Sequence, residues 1–382
     1  MRIPYGRQEV TPDDINAVVE VLSSDFLTQG PKIEEFEAGF SAYIGVKHAV
    51  AVSNGTAALH LSAMALKVSE NSRVITTPIT FSATANCVRY QGGHVQFCDI
   101  DKDNYCLDMN RLEHLLKSSK KGTYCGIIPV DFAGYPVNTQ GVRRLAQQYD
   151  LWIIEDACHA PGGYFLDDQQ KLQMSGNGMY TDLAIFSFHP VKHIAAGEGG
   201  MITTNDTKLY NRLLSLRSHG IVKSDERAKK EGWHYELREL GYNYRLTDIQ
   251  AALGISQLKR AKLNLTKRHS IADKYDAAFQ TLPIQLPARD PSHFHALHLY
   301  VILTTKRKEL YDYLRQHNIF TQVHYIPLHY MPYYQAFGFK EGDFPVAEHY
   351  YERCLSLPMY PSMSNNEIDY VIKKVTDFFQ QI

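Results

Sequence analysis

The chain has 382 residues, 44% hydrophobic and 21% charged, with 40 Lys+Arg against 41 Asp+Glu for a formal net charge of −1. That balance excludes a disordered chain and leaves no global basic field for nucleic acid or an anionic membrane. No run approaches the ~18 consecutive apolar residues of a membrane span, and residues 1–7 hold no apolar h-region, so neither an anchor nor a secretory signal is expected. The six cysteines (Cys87, Cys98, Cys106, Cys125, Cys158, Cys354) are scattered with no C-x-x-C pair, which predicts reduced thiols in a cytoplasm.

Thr11, Pro12 and Asp14 form the start signal of a first helix. Ile15, Val18, Val19 and Leu22 follow at helical spacing, which predicts one buried face. Gly30-Pro31 breaks the chain before a second helix with Ile33, Phe36, Phe40 and Tyr43 on one stripe. From residue 47 the rhythm changes to short apolar runs, which predict strands over 48–53, 73–77, 94–100, 124–130, 151–156, 183–188 and 201–204. These runs are unbroken rather than alternating, as in strands covered on both faces, and the helical segments between them predict a mainly parallel sheet in an α/β domain. Beyond residue 255 a long polar helix over 255–280, a strand over 297–303, a helix from Lys306, a strand near 320–325 and a helix from Ser364 predict a smaller α+β domain. The expected boundaries are 1–255, with N-terminal helices over 11–44, and 256–382.

Ligands of such sheets gather at the carboxyl ends of strands, and three strand ends carry suitable groups. Ser53-Asn54-Gly55-Thr56-Ala57 would open a helix whose first amides can cradle a phosphate, although an Asn-Gly turn starts many helices without one. Ile153-Ile154-Glu155-Asp156 delivers a carboxylate, which suits a cationic partner or equally a helix cap. Ser187-Phe188-His189-Pro190-Val191-Lys192 places a lysine just past a strand and before Gly197-Glu198-Gly199-Gly200, where desolvation would make it a nucleophile. A surface lysine is the plain alternative. Cys158-His159 has no second Cys/His pair at ligand spacing, and neither it nor His293, His295 and His298 is read as a metal site. Phosphate cradle, carboxylate and amine together are the parts of a pyridoxal phosphate site.

Leu27-Thr28-Gln29-Gly30-Pro31, Ser53 to Leu59, Glu155 to Ala160, Ser187 to Gly200, Arg217-Ser218-His219-Gly220 and Leu240 to Asp248 occur in the order found in one family. Through them the chain resembles the DegT/DnrJ/EryC1/StrS sugar aminotransferases. That resemblance implies the fold-type-I pyridoxal phosphate transferase fold, a large α/β domain with a mainly parallel seven-stranded sheet plus the smaller C-terminal domain. Thr76 to Phe81, Leu216 to Gly220 and Gln322-Val323-His324-Tyr325 most resemble the members that aminate a UDP-linked 4-keto-6-deoxy-N-acetylhexosamine in pseudaminic acid synthesis.

By position, the resemblance implies Lys192 as the cofactor lysine, Asp156 as partner of the pyridine nitrogen and His159 beside the cofactor hydroxyl. It implies Phe81 stacked on the ring, and Thr56, Ala57 and Ser187 on the phosphate. It also implies Asn243 reaching the cofactor of a second subunit, hence a homodimer with shared sites. Thr28, His324, Tyr325 and His329 would meet the sugar nucleotide, with L-glutamate as amino donor. The family's dehydratases carry His where this chain carries Lys192, so the sequence sides with transamination. The rival readings are a transaminase for another nucleotide-linked 3- or 4-ketosugar and a non-catalytic binding module.

Overall fold

A computed structural model describes residues 2–223 and 226–381. Seven strands form the central sheet in the order His48–Val52, Gly200–Thr204, Leu183–Ser187, Trp152–Asp156, Gly126–Ile128, Arg73–Thr76 and His94–Phe97. All run parallel except Gly200–Thr204, which is antiparallel to both its neighbours. The unbroken apolar runs have the cause expected of them, since helices cover both faces. Ala58, Leu61 and Val88 pack with Val74, Ile154 and Ile185 on one side. Leu112, Leu116, Val142 and Ala146 pack with Ile75, Ile127 and Ile153 on the other. Helix Pro31–Ile44 adds an aromatic contact, Phe36 lying 5.0 Å from Phe188 and Phe40 4.9 Å from Phe186.

Helix Pro12–Leu22 has the expected capping box, in which Thr11 and Asp14 exchange hydrogen bonds. Its apolar stripe is not the buried face. Ile15, Val19 and Leu22 are each more than half exposed, while Asp14 and Val21 are buried. The reason is electrostatic: Asp14 accepts from Arg260 Nη2 at 2.7 Å and Gln257 Nε2 at 2.9 Å, so the polar edge docks on helix Asp248–Lys259.

Residues beyond 255 differ in three places from the expected elements. The long helix is two, Asp248–Lys259 and Ala261–Phe279, hinged at Arg260, which is held by Glu9 and Asp14. The strand expected from Leu297 begins at Tyr300, because Leu297 takes a left-handed turn at φ 53°. Residues 320–325 form no strand, only a single bridge between Gln322 and Ser356. Tyr300–Leu303 pairs antiparallel with Cys354–Leu357, and helices Ala261–Phe279, Arg307–Gln316 and Asn365–Gln380 close a second core around Tyr275, Tyr300, Leu314 and Val375. The N-terminal segment joins that core. Ile3 is fully buried, donates to Asn318 O at 2.9 Å and accepts from Phe320 N at 2.8 Å.

Candidate active site

The carboxyl ends of the strands open into a cavity of about 800 Å³. Helix Gly55–Ala65 points its N-terminus into it. The first amides of a helix have no intrahelical acceptor. That of Ala57 is taken by Asn54 Oδ1 at 2.8 Å, which leaves Gly55 and Thr56 to the cavity. A Cβ on Gly55 would press on the Ser187 Cβ at 3.0 Å, and one on the strand residue Gly200 would sit only 2.4 Å from Asn54 O, so glycine is required there. The turn is thus packed closely against Ser187 and Gly200, with the Gly55 and Thr56 amides left to the cavity.

Asp156 ends its strand at the cavity and is buried. Oδ2 accepts from Thr84 Oγ1 at 2.7 Å and Oδ1 from the Cys158 amide at 3.3 Å, and Thr84 is held in turn by Thr80 Oγ1 at 2.7 Å. Behind it lie two more buried acids. Burial pushes Asp131 up to about 7, and burial, then the charge of Asp131, hold Glu155 well above the usual carboxylate range.

Lys192 lies in the turn after strand Leu183–Ser187, its amide donating to His189 O at 2.8 Å. Its amine lines the cavity and has no hydrogen-bond or ion-pair partner among the described residues. Burial lowers its pKa, opposed by the nearby Cys158 and Asp156. A lysine so placed carries more free amine near neutral pH than one in water.

Four aromatic side chains complete the wall. His159 Nε2 lies 3.4 Å from the Tyr325 hydroxyl, and His159 is held well below the ordinary histidine range by burial and then by Lys192. His324 is bound to Ser356 Oγ at 2.8 Å, and burial pushes it down to about 3. Phe81 stands on the rim, 58% exposed, with its ring 6.2 Å from that of Tyr325.

The fold therefore gathers Thr56, Ala57, Phe81, Asp156, His159, Ser187, Lys192, His324 and Tyr325 around one cavity. Thr28 and Asn243 are exposed and outside it, in single bridges with Thr247 and Ser218. His329 also lies outside. It is fully buried and bound to Glu348 at 2.9 Å, because the turn Leu328–Tyr330 directs it into the protein. Sequence reasoning missed Thr84, Tyr5, Tyr244 and Gln322. Tyr5 arrives from the N-terminal segment, and Tyr244 is carried in by its carbonyl, which accepts from Ser53 N at 2.8 Å. Among the described residues no cluster of His, Cys, Asp and Glu is arranged to hold a metal ion.

A profile of the DegT/DnrJ/EryC1/StrS aminotransferase family matches residues 8–376. The spore coat polysaccharide biosynthesis protein SpsC of Bacillus subtilis is 39% identical, covering 98% of this chain and 96% of that protein. A UDP-4-amino-4,6-dideoxy-N-acetyl-beta-L-altrosamine transaminase of Campylobacter jejuni is 37% identical over 97% of this chain and 95% of that one. Among solved structures, Helicobacter pylori PseC, an aminotransferase involved in the biosynthesis of pseudoaminic acid, superposes with a TM-score of 0.90 at 31% identity over 100% of both chains.

Proposed function

Since this chain belongs to the DegT/DnrJ/EryC1/StrS aminotransferase family, we propose that it transfers the amino group of L-glutamate to C4 of a UDP-linked 4-keto-6-deoxy-N-acetylhexosamine. The product is then UDP-4-amino-4,6-dideoxy-N-acetyl-beta-L-altrosamine, on the way to pseudaminic acid, in a cytoplasmic homodimer. The chain is a sugar aminotransferase and its cofactor is pyridoxal phosphate. The Campylobacter relative, similar over nearly the whole chain, supports the narrower substrate.

The cavity fits the cofactor. The Gly55 and Thr56 amides left to the cavity suit its phosphate, and the unpartnered Lys192 amine suits its aldehyde. When bound, the cofactor supplies an electron sink next to the reacting carbon. In our reading Lys192 is the residue that carries it and then serves as positioned base for the substrate proton. Asp156, oriented by Thr84, keeps the ring nitrogen charged. Phe81 covers one face of the ring, Ser187 and Ala57 flank the phosphate, and His159 meets the ring hydroxyl. Asn243, exposed on this chain, reaches the cofactor of the second subunit. His324, Tyr325 and Thr28 meet the sugar nucleotide. His329 is left out, since its nitrogen is spent on Glu348.

The similarity to SpsC favours a second reading, an acceptor that is another nucleotide-linked ketosugar. Incubation with L-glutamate and a panel of UDP- and dTDP-linked ketosugars, followed by NMR of the products, separates the two. An amine at C4 with altro configuration supports the first. Turnover of other ketosugars only would refute it.

A further inference from the structure

We propose that Tyr325 is the proton donor for the oxygen that leaves or enters as the substrate carbonyl and the imine interconvert. Its hydroxyl lies in the cavity, and its one hydrogen bond among the described residues is the 3.4 Å contact with His159 Nε2. A contact that long is readily exchanged for a ligand oxygen. Burial raises the phenol, so it is protonated at neutral pH. His159, kept neutral, holds the hydroxyl through Nε2 between encounters, as the acceptor in the tautomer protonated at Nδ1. The imidazole is itself held: its ring lies 4.3 Å from that of the buried His298.

Three other proton carriers in the cavity are committed elsewhere. Thr84 donates to Asp156, and the Tyr244 hydroxyl meets His60 Nδ1 at 3.1 Å. His324 is bound to Ser356. Tyr5 packs its ring on His324 at 5.2 Å, and its hydroxyl has no imidazole partner among the described residues.

The step balances as follows. An amine nitrogen adds to the carbonyl carbon, a C–N bond forms, and the π pair moves to oxygen, which takes the Tyr325 proton. The nitrogen sheds a proton to the Lys192 amine, which returns it to the phenolate across the cavity. The C–O bond then breaks with its electron pair leaving on oxygen, and a second exchange of the same kind supplies the second proton. Two protons leave nitrogen, two arrive on oxygen, and water departs. Release of the donor's keto acid runs the same steps in reverse.

The test uses Tyr325→Phe in the full cofactor-loaded chain with L-glutamate in D2O, and rests on the donor assigned above. Loss of the glutamate α-hydrogen, which needs only Lys192, should stay within about threefold of wild type, while 2-oxoglutarate release falls about 100-fold or more. Equal loss of both rates, or no loss of release, overturns the proposal. A second arm needs no cofactor: the ¹⁵N resonance of His159 Nε2 in the cofactor-free protein should shift in Tyr325→Phe, and an unmoved resonance also overturns it. A wild type inert towards L-glutamate refutes the donor instead, and the His159 resonance then decides alone.

Discussion

Thr84 Oγ1 lies 2.7 Å from Asp156 Oδ2 and donates its hydrogen bond to it. The two residues sit on different elements, helix Ser82–Tyr90 and strand Trp152–Asp156, so the bond aims the carboxylate as well as solvating it. A hydrogen bond to a charged group contributes about 1.5–3 kcal/mol. Thr84→Val should therefore weaken pyridoxal phosphate retention by about one to two orders of magnitude, read by absorbance titration. Unchanged retention would mean that the Cys158 amide alone orients Asp156.

Lys192 should be the residue that reacts with the cofactor aldehyde, because its amine lines the cavity unpartnered and desolvation lowers its pKa. Borohydride reduction of the loaded protein followed by peptide mapping should put the label on Lys192. A label on any other lysine contradicts the assignment.

Acid should unfold the protein from the low side of neutrality. Burial pushes His295 and His324 down to about 3, and holds His159, His193 and His298 well below 6.5. Below pH 6.5 the unfolded chain therefore binds protons that the folded chain refuses. Their contribution is whole above 6.5 and is lost as pH falls towards 3, at about 1.4 kcal/mol per histidine per pH unit. The raised Asp131, Glu155 and Glu37 act oppositely, costing stability as pH rises through the acid range, but the five histidines outnumber them. The melting temperature should drop between pH 7 and pH 5. A flat profile would show that these rings are charged in the fold.

The exposed stripe of Ile15, Val19 and Leu22 and the exposed Asn243 test the assembly. If two copies share sites, Val19→Asp should give monomers by sedimentation, with activity lost. Mixing inactive Lys192→Ala with inactive Asn243→Ala should restore part of it, since a mixed dimer has one site with an intact lysine and an intact partner asparagine. Full subunit exchange without recovery would place Asn243 in its own chain's function or none.

What the sequence discloses here depends on how local the cause is. Asp156 and Lys192 were legible because each follows an apolar run that can only be a buried strand, and a polar group at such an end faces the ligand side. Thr11–Asp14 was legible because a capping box is complete within four residues. Thr84 was not, since nothing distinguishes a threonine that serves Asp156 from one that fills a core. The burial of helix Pro12–Leu22 was misjudged because periodicity tells that a face is apolar, and not what covers it. His329 was grouped with His324 and Tyr325 at the sugar nucleotide, while its turn sends that one ring inward.

The tie between Ile3 and residues 318–320 has a consequence for the order of folding. Ile3 and residues 318–320 lie far apart in sequence, and contacts of such long separation form late in folding. Tyr5 follows Ile3 into place, and its carbonyl accepts from Met359 N at 3.0 Å, so the cavity wall that it and Tyr325 share is assembled only with the segments around 318 and 359 in place. A chain cut before residue 318 lacks Gln322, His324 and Tyr325 and with them one wall of the cavity, so enclosure of the aldehyde cofactor depends on contacts that form late.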